Sequence, residues 1–193
     1  MKSRKLIVAT SNPGKLREMA EYLAGLDWQL ELKPQELEII ETGTTFLANA
    51  RLKASEVAKA LGQWAIADDS GLGVDALNGA PGIYSARYGK TDQERITRLL
   101  NALGDNPQRG AKFICAIAIS RPDGAIALET EGVCPGEILT ETRGEGGFGY
   151  DPIFYVPEMK QTFAQMSSET KNRVSHRGQA FAQLLPELLK LSP

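Results

Sequence analysis

Two adjacent carboxylates, Asp68 and Asp69, stand where a short apolar run, Trp64 to Ala67, gives way to Ser70 and Gly71. Such a break reads as a buried strand reaching an edge of a sheet. In open α/β sheets ligands bind in the crevice beyond the carboxyl ends of strands. Paired acids there can hold a divalent cation or activate a water; they can equally cap the turn through hydrogen bonds to the backbone.

Four other segments carry complementary chemistry. Thr10-Ser11-Asn12-Pro13-Gly14-Lys15 sets hydroxyls, an amide and a lysine between a strand and a helix N-terminus. Free N–H groups and the helix dipole favour an anion there, and Lys15 adds a mobile point charge for a phosphate. The spacing matches neither the Walker A loop nor the Rossmann glycine fingerprint, which removes support from kinases and dehydrogenases. A plain N-cap turn is the competing reading. Glu41 precedes a helix on which Asn49 and Lys53 share a face, and it could approach Asp69 to complete a metal site or simply favour the helix dipole. Arg143 to Pro152 packs four glycines around Phe148 and Tyr150, a loop able to press against a flat ligand while an aromatic ring stacks on it, with Asp151 as its polar group. A glycine-rich turn with core aromatics is the alternative. Finally, Lys171, His176 and Arg177 gather three donors within seven residues, and His176 is the only histidine.

These groups need a scaffold. Leu6 to Ala9 reads as a buried first strand, followed by a helix through Leu16, Met19, Ala20, Leu23 and Leu26. Phe46 to Leu61 forms a second helix leading into the Trp64 strand. Thr91 and Glu94 make a capping box for a third helix on Ile96, Leu99, Leu100 and Leu103. Ala111 to Ser120 and Ala125 to Val133 form a hairpin about Pro122-Asp123-Gly124, and Ile153 to Val156 adds a short strand. A last helix carries Phe181, Leu184, Leu185, Leu188 and Leu189, with Pro186 expected to kink or split it. The order β-α-α-β, then α, hairpin, strand and helices predicts an α/β fold: a mixed sheet flanked by helices.

Length and charge narrow the function. The 193 residues fit one domain with a sizeable core. Net charge is −2, from 22 basic and 24 acidic residues, which is no footprint for nucleic acid or an anionic membrane. Any anionic ligand must be met by local charge. Cys115 and Cys134 lack metal-ligand spacing and read as reduced core residues, making a cytoplasmic location the default. Met1 to Lys5 is basic but opens onto too few apolar residues for a signal peptide, and no apolar stretch approaches membrane-spanning length.

Six blocks occur together and in order: Ser11 to Lys15, Glu41-Thr42-Gly43, Ala67 to Leu72, Gly79 to Arg87, Gly147 to Phe154, and Ser175 to Gly178. Together they resemble the HAM1 family of inosine/xanthosine triphosphate pyrophosphatases. The resemblance spans the chain as a single ITPase-like nucleotide pyrophosphatase domain, residues 1–193. It implies an elongated mixed sheet with two lobes, a nucleotide cleft between them, and a homodimer. It also implies Mg²⁺-dependent hydrolysis of ITP, dITP or XTP to the monophosphate and pyrophosphate. By that resemblance Asp69 is the catalytic acid–base group, and Glu41 with Asp69 binds the metal. Thr10, Ser11, Asn12, Pro13, Gly14 and Lys15 hold phosphates, and Ser70 lies beside the substrate. Phe148, Gly149, Tyr150, Asp151, Lys171, His176 and Arg177 surround base and sugar. Many relatives carry two adjacent acids before the Thr-Gly, whereas Ile40 precedes Glu41 here. The alternatives are a Maf-like pyrophosphatase acting on other nucleotides and a nucleotide-binding module without catalysis.

Overall fold

The computed structural model describes residues 4–191, so residues 1–3 of the basic stretch Met1 to Lys5 lie outside the described residues. In chain order the elements are β1 (Arg4–Val8), α1 (Pro13–Leu23), β2 (Trp28–Leu32), α2 (Phe46–Leu61), β3 (Trp64–Val74) and α3 (Asp92–Leu103). They continue as β4 (Gly110–Ser120), β5 (Ile126–Ile138), β6 (Phe154–Val156), β7 (Gln161–Thr162), α4 (Ser168–Val174) and α5 (His176–Lys190). The strands form one sheet in the order β2-β1-β3-β4-β5-β6-β7. β1 runs parallel to β2 and β3, and β6 runs antiparallel to β5 and β7. The sheet is therefore mixed and the fold α/β, as the element order predicts.

Two compact units share the chain. The first gathers the chain up to Asp69, Cys115–Gly132 and the chain from Arg177. Its core packs Leu6 and Val8 of β1, Met19 and Leu23 of α1, Ile66 of β3, Ile117 of β4, and Phe181, Leu184 and Leu188 of α5. The second comprises Ser70–Ile114 and Val133–His176, with a core of Leu72, Ile96, Leu99, Phe113, Phe154 and Phe163. Helix periodicity explains the first core: the buried residues of α5 lie three and four apart on one stripe. Among the described residues no helix is long and apolar enough to cross a membrane.

Four expectations are corrected. A strand, β2, lies between the first two helices, so the chain opens β-α-β-α-β; its first residue, Trp28, is buried whereas Leu32 is 53% exposed at the edge of the sheet. Helix α1 stops at Leu23 rather than reaching Leu26. β3 does not end at Asp68 but runs through the acid pair to Val74. Of the kink or split expected at Pro186, the split does not occur, since α5 runs unbroken from His176 to Lys190. Proline removes the hydrogen bond to the carbonyl four residues earlier; Ala182 and Pro186 are both exposed, so water can solvate that carbonyl while Phe181, Leu184 and Leu188 hold the helix down.

Candidate active site

Successive side chains of a strand point to opposite faces, and in the middle of β3 this separates the two acids. Asp68 meets α1 and α5. Its Oδ2 accepts from Arg177 Nη2 at 2.8 Å and Nε at 3.3 Å, and pairs with Lys15 Nζ at 3.2 Å. The Cys115 thiol lies 3.8 Å from the same oxygen. Its Oδ1 is buried with no hydrogen-bond partner among the described residues. Arg177, itself buried, also pairs with Glu18. Burial opposes the charge on Asp68, but Lys15, Arg177 and Lys53 outweigh it and hold the carboxyl well below the usual carboxylate range. Burial likewise opposes the charge on Arg177, and Asp68, Cys115 and Glu18 more than compensate, so its pKa is raised. Asp68 is thus a fixed anion.

Asp69 faces α2. Lys53 Nζ donates to Asp69 Oδ1 at 3.0 Å and to Glu41 Oε1 at 2.8 Å, and Asn49 Nδ2 donates to Asp69 Oδ2 at 3.1 Å. Asn49 and Lys53 lie one turn apart on α2, which Thr45 caps by accepting from Ala48 N–H. The Asn49 carbonyl also takes the Gly43 N–H at 2.8 Å, tying the Glu41 loop to the helix; a Cβ on Gly43 would come within 2.5 Å of that oxygen. Burial raises the Asp69 pKa, Lys53 and Lys15 oppose it, Glu41 reinforces it, and the net result is a carboxyl above its ordinary range. Two neighbouring acids therefore receive opposite electrostatic environments.

Among the described residues no group of three or more His, Cys, Asp or Glu converges on a metal position. Two carboxylates do converge: Glu41 and Asp69 share one cationic centre, the Lys53 ammonium. That donor set fits Mg²⁺, which is commonly held by one or two carboxylates plus substrate phosphates.

The turn before α1 is built around Asn12, whose Oδ1 accepts from Gly14 N–H at 2.8 Å and Lys15 N–H at 3.3 Å. Thr10 Oγ1 accepts from Asn12 N–H at 3.2 Å. The N-cap reading of this segment is therefore realised, and the Lys15 side chain is only 14% exposed. Ser11 and Pro13 are exposed.

A second cluster belongs to the other unit. Asp151 is buried, and its Oδ2 accepts from Lys171 Nζ at 2.7 Å and Phe148 N–H at 2.8 Å. Lys171 sits 4.9 Å from the Phe148 ring centroid and 5.6 Å from that of Phe163. Phe148 is half-buried, whereas Tyr150 is buried in the apolar core with its hydroxyl donating to Ser85 O at 2.9 Å. The His176 ring stacks on Phe113 at 4.6 Å. Ser70, next to Asp69 in β3, is half-buried.

Thus Glu41, Asp69 and Lys53 meet, as do Lys15, Asp68 and Arg177, and as do Phe148, Asp151 and Lys171. Sequence reasoning undervalued Lys53 and Asn49, whose four-residue spacing on the α2 face toward β3 was the available signal. It missed Glu18, one helical turn beyond Lys15 on α1, and Asp92, whose partner Gly149 is 57 residues away.

The Ham1 family model matches residues 6–187. A dITP/XTP pyrophosphatase of Nostoc sp. is 69% identical over 183 residues, covering 95% of this chain and 93% of that one. One from Synechocystis sp. is 63% identical, covering 93% of each. Among solved structures, a HAM1 protein from Coxiella burnetii aligns with a TM-score of 0.88 at 45% identity, over 97% of this chain and 99% of the other. The Staphylococcus aureus Ham1 protein aligns with a TM-score of 0.85 at 44% identity, over 97% and 98%.

Proposed function

The chain belongs to the Ham1 family, and from that premise we propose that it hydrolyses non-standard purine nucleoside triphosphates, dITP, ITP and XTP, to the monophosphate and pyrophosphate. The single observation that carries the mechanism is the opposed placement of Asp68, clamped by Arg177 and Lys15, and Asp69, which meets Lys53 beside Glu41. Pairs of titratable groups pushed apart in pKa mark divided acid–base roles. Asp69, more basic than an ordinary carboxylate, takes the proton of a water that attacks the α-phosphorus. The bond from that phosphorus to the bridging oxygen breaks, and pyrophosphate leaves. Asp68 stays ionised and orients Lys15, which with Lys53 offsets charge on the leaving group. Glu41 and Asp69 would hold Mg²⁺, which when bound supplies charge neutralisation and a more acidic water.

The turn Thr10 to Lys15 would meet the phosphates, with Ser70 beside the substrate. Phe148 to Asp151, Lys171, His176 and Arg177 would serve the base and sugar. A 6-oxo purine offers an acceptor where adenine offers an amino donor, and guanine, which shares that oxygen, must be rejected at its 2-amino group. Buried donors left unpaired by adenine support discrimination of about 10⁴-fold. The family match over residues 6–187 supports one functional domain, and the buried free cysteines support a cytoplasmic home. A homodimer is part of the same reading.

Pyrophosphate release from dITP, ITP, XTP, GTP and ATP, with and without Mg²⁺, tests the proposal. Metal-dependent turnover confined to the first three is expected; equal rates on all five would refute the selective pocket. Near-normal turnover by Asp69→Asn at saturating Mg²⁺ would remove the assigned base.

A further inference from the structure

Phe148 lies between two glycines in the left-handed region, Gly147 at φ +74° and Gly149 at φ +65°. The two amides flanking its α-carbon are each held by a different carboxylate. The Phe148 N–H donates to Asp151 Oδ2 at 2.8 Å, and the Gly149 N–H donates to Asp92 Oδ2 at 2.7 Å. Fixing both peptide planes fixes the direction of the Cα–Cβ bond, so only the side-chain torsions of the ring remain to be set. The Lys171 ammonium, 4.9 Å from the ring centroid, limits those.

The two anchors differ in kind. Asp151 is local, buried and shared with Lys171. Asp92 opens α3, is 47% exposed, and directs its other oxygen to Arg95 Nη1 at 2.6 Å. Its helix is capped independently, because Thr91 accepts from Glu94 N–H at 3.1 Å. The acceptor for Gly149 is therefore surplus to what α3 needs at its N-terminus. Flanking glycines leave a backbone free to rotate unless something outside the loop restrains it.

We propose that Asp92 is a positioning residue, which through the Gly149 amide sets the orientation in which Phe148 meets the purine. This rests on the reading that Phe148 stacks on the base. Kinetics on dITP with the full chain separate the two. Asp92→Ala should raise KM about 10-fold, the factor equivalent to 1.4 kcal/mol, while kcat stays within about two-fold. Asp92→Asn keeps an acceptor oxygen and should bring KM back to within about three-fold of the parent. In a Phe148→Ala background, Asp92→Ala should add nothing, because the group it positions is gone. If Phe148→Ala leaves KM unchanged, the stacking reading falls. If Phe148→Ala raises KM but Asp92→Ala does not, or if the two effects simply add, the role of Asp92 falls alone.

Discussion

Arg177→Met should be among the most destabilising single changes in this chain. The substitution keeps length and apolar bulk but removes the guanidinium that donates twice to Asp68, a side chain with no solvent exposure. Deleting one member of a buried ion pair costs about 3–5 kcal/mol, because the remaining charge is stranded. Lys15 stays at 3.2 Å from Asp68, so a loss of about 3 kcal/mol is expected. In a chain of this length that lowers Tm by about 6–12 °C. The pH dependence carries the stronger test. In the parent the folded-state pKa of Asp68 lies below the unfolded value of about 3.9. Its contribution is therefore complete above that value and is lost as pH falls through the folded pKa. Without Arg177 only Lys15 and Lys53 oppose burial, so the folded pKa rises relative to that of the parent. The penalty on the charged form is then largest at high pH and is relieved as acid protonates the carboxyl. The stability gap between parent and variant should narrow as the pH is lowered from neutrality into the carboxylate range. Urea denaturation followed by far-UV circular dichroism at several pH values measures it. A gap below about 1 kcal/mol, the scale of an exposed pair, or one that does not change with pH, refutes the buried-pair reasoning.

Three further outcomes are expected. Lys53→Met removes the charge that most opposes the raised pKa of Asp69; the acidic limb of the kcat/KM profile should move to higher pH, and an unmoved limb counts against Asp69 as base. Gly147→Ala forces a side chain into φ +74° and sets its Cβ 2.0 Å from Asp151 Oδ2, so stability should fall by about 1–3 kcal/mol in thermal melts with a higher KM. Burial pushes the Cys115 thiol up to about 12 and Cys134 to about 11, so neither should react promptly with DTNB at pH 8 until guanidinium unfolds the chain.

Residue type and short-range spacing made much of this molecule readable. The apolar stripe of α2, the Thr91 cap of α3 and the hairpin at Pro122-Asp123-Gly124 depend on neighbours within a few residues. The path of β3 does not. Two adjacent acids end an apolar pattern unless charges from elsewhere neutralise them, and the arginine that does so for Asp68 lies 109 residues away. β2 escaped for another reason: Trp28, Leu30 and Leu32 alternate weakly, and an edge strand need not bury its last residue. The partners of Lys53, Glu41 and Asp69, lie 12 and 16 residues away, too far for helix spacing to reveal; its side chain is 13% exposed.

Since β3 presents Asp68 and Asp69 to opposite sides, the pairing of β1 with β3, Val8 opposite Ile66 and Ile7 opposite Ala65, decides which acid is which. A slip of one residue would exchange them, handing the stationary anion to Lys53 and clamping the proton acceptor beneath Arg177. Insertions or deletions in this strand should therefore abolish turnover even when the chain still folds. The two surroundings still share a field, because Lys53 acts on Asp68 and Lys15 on Asp69.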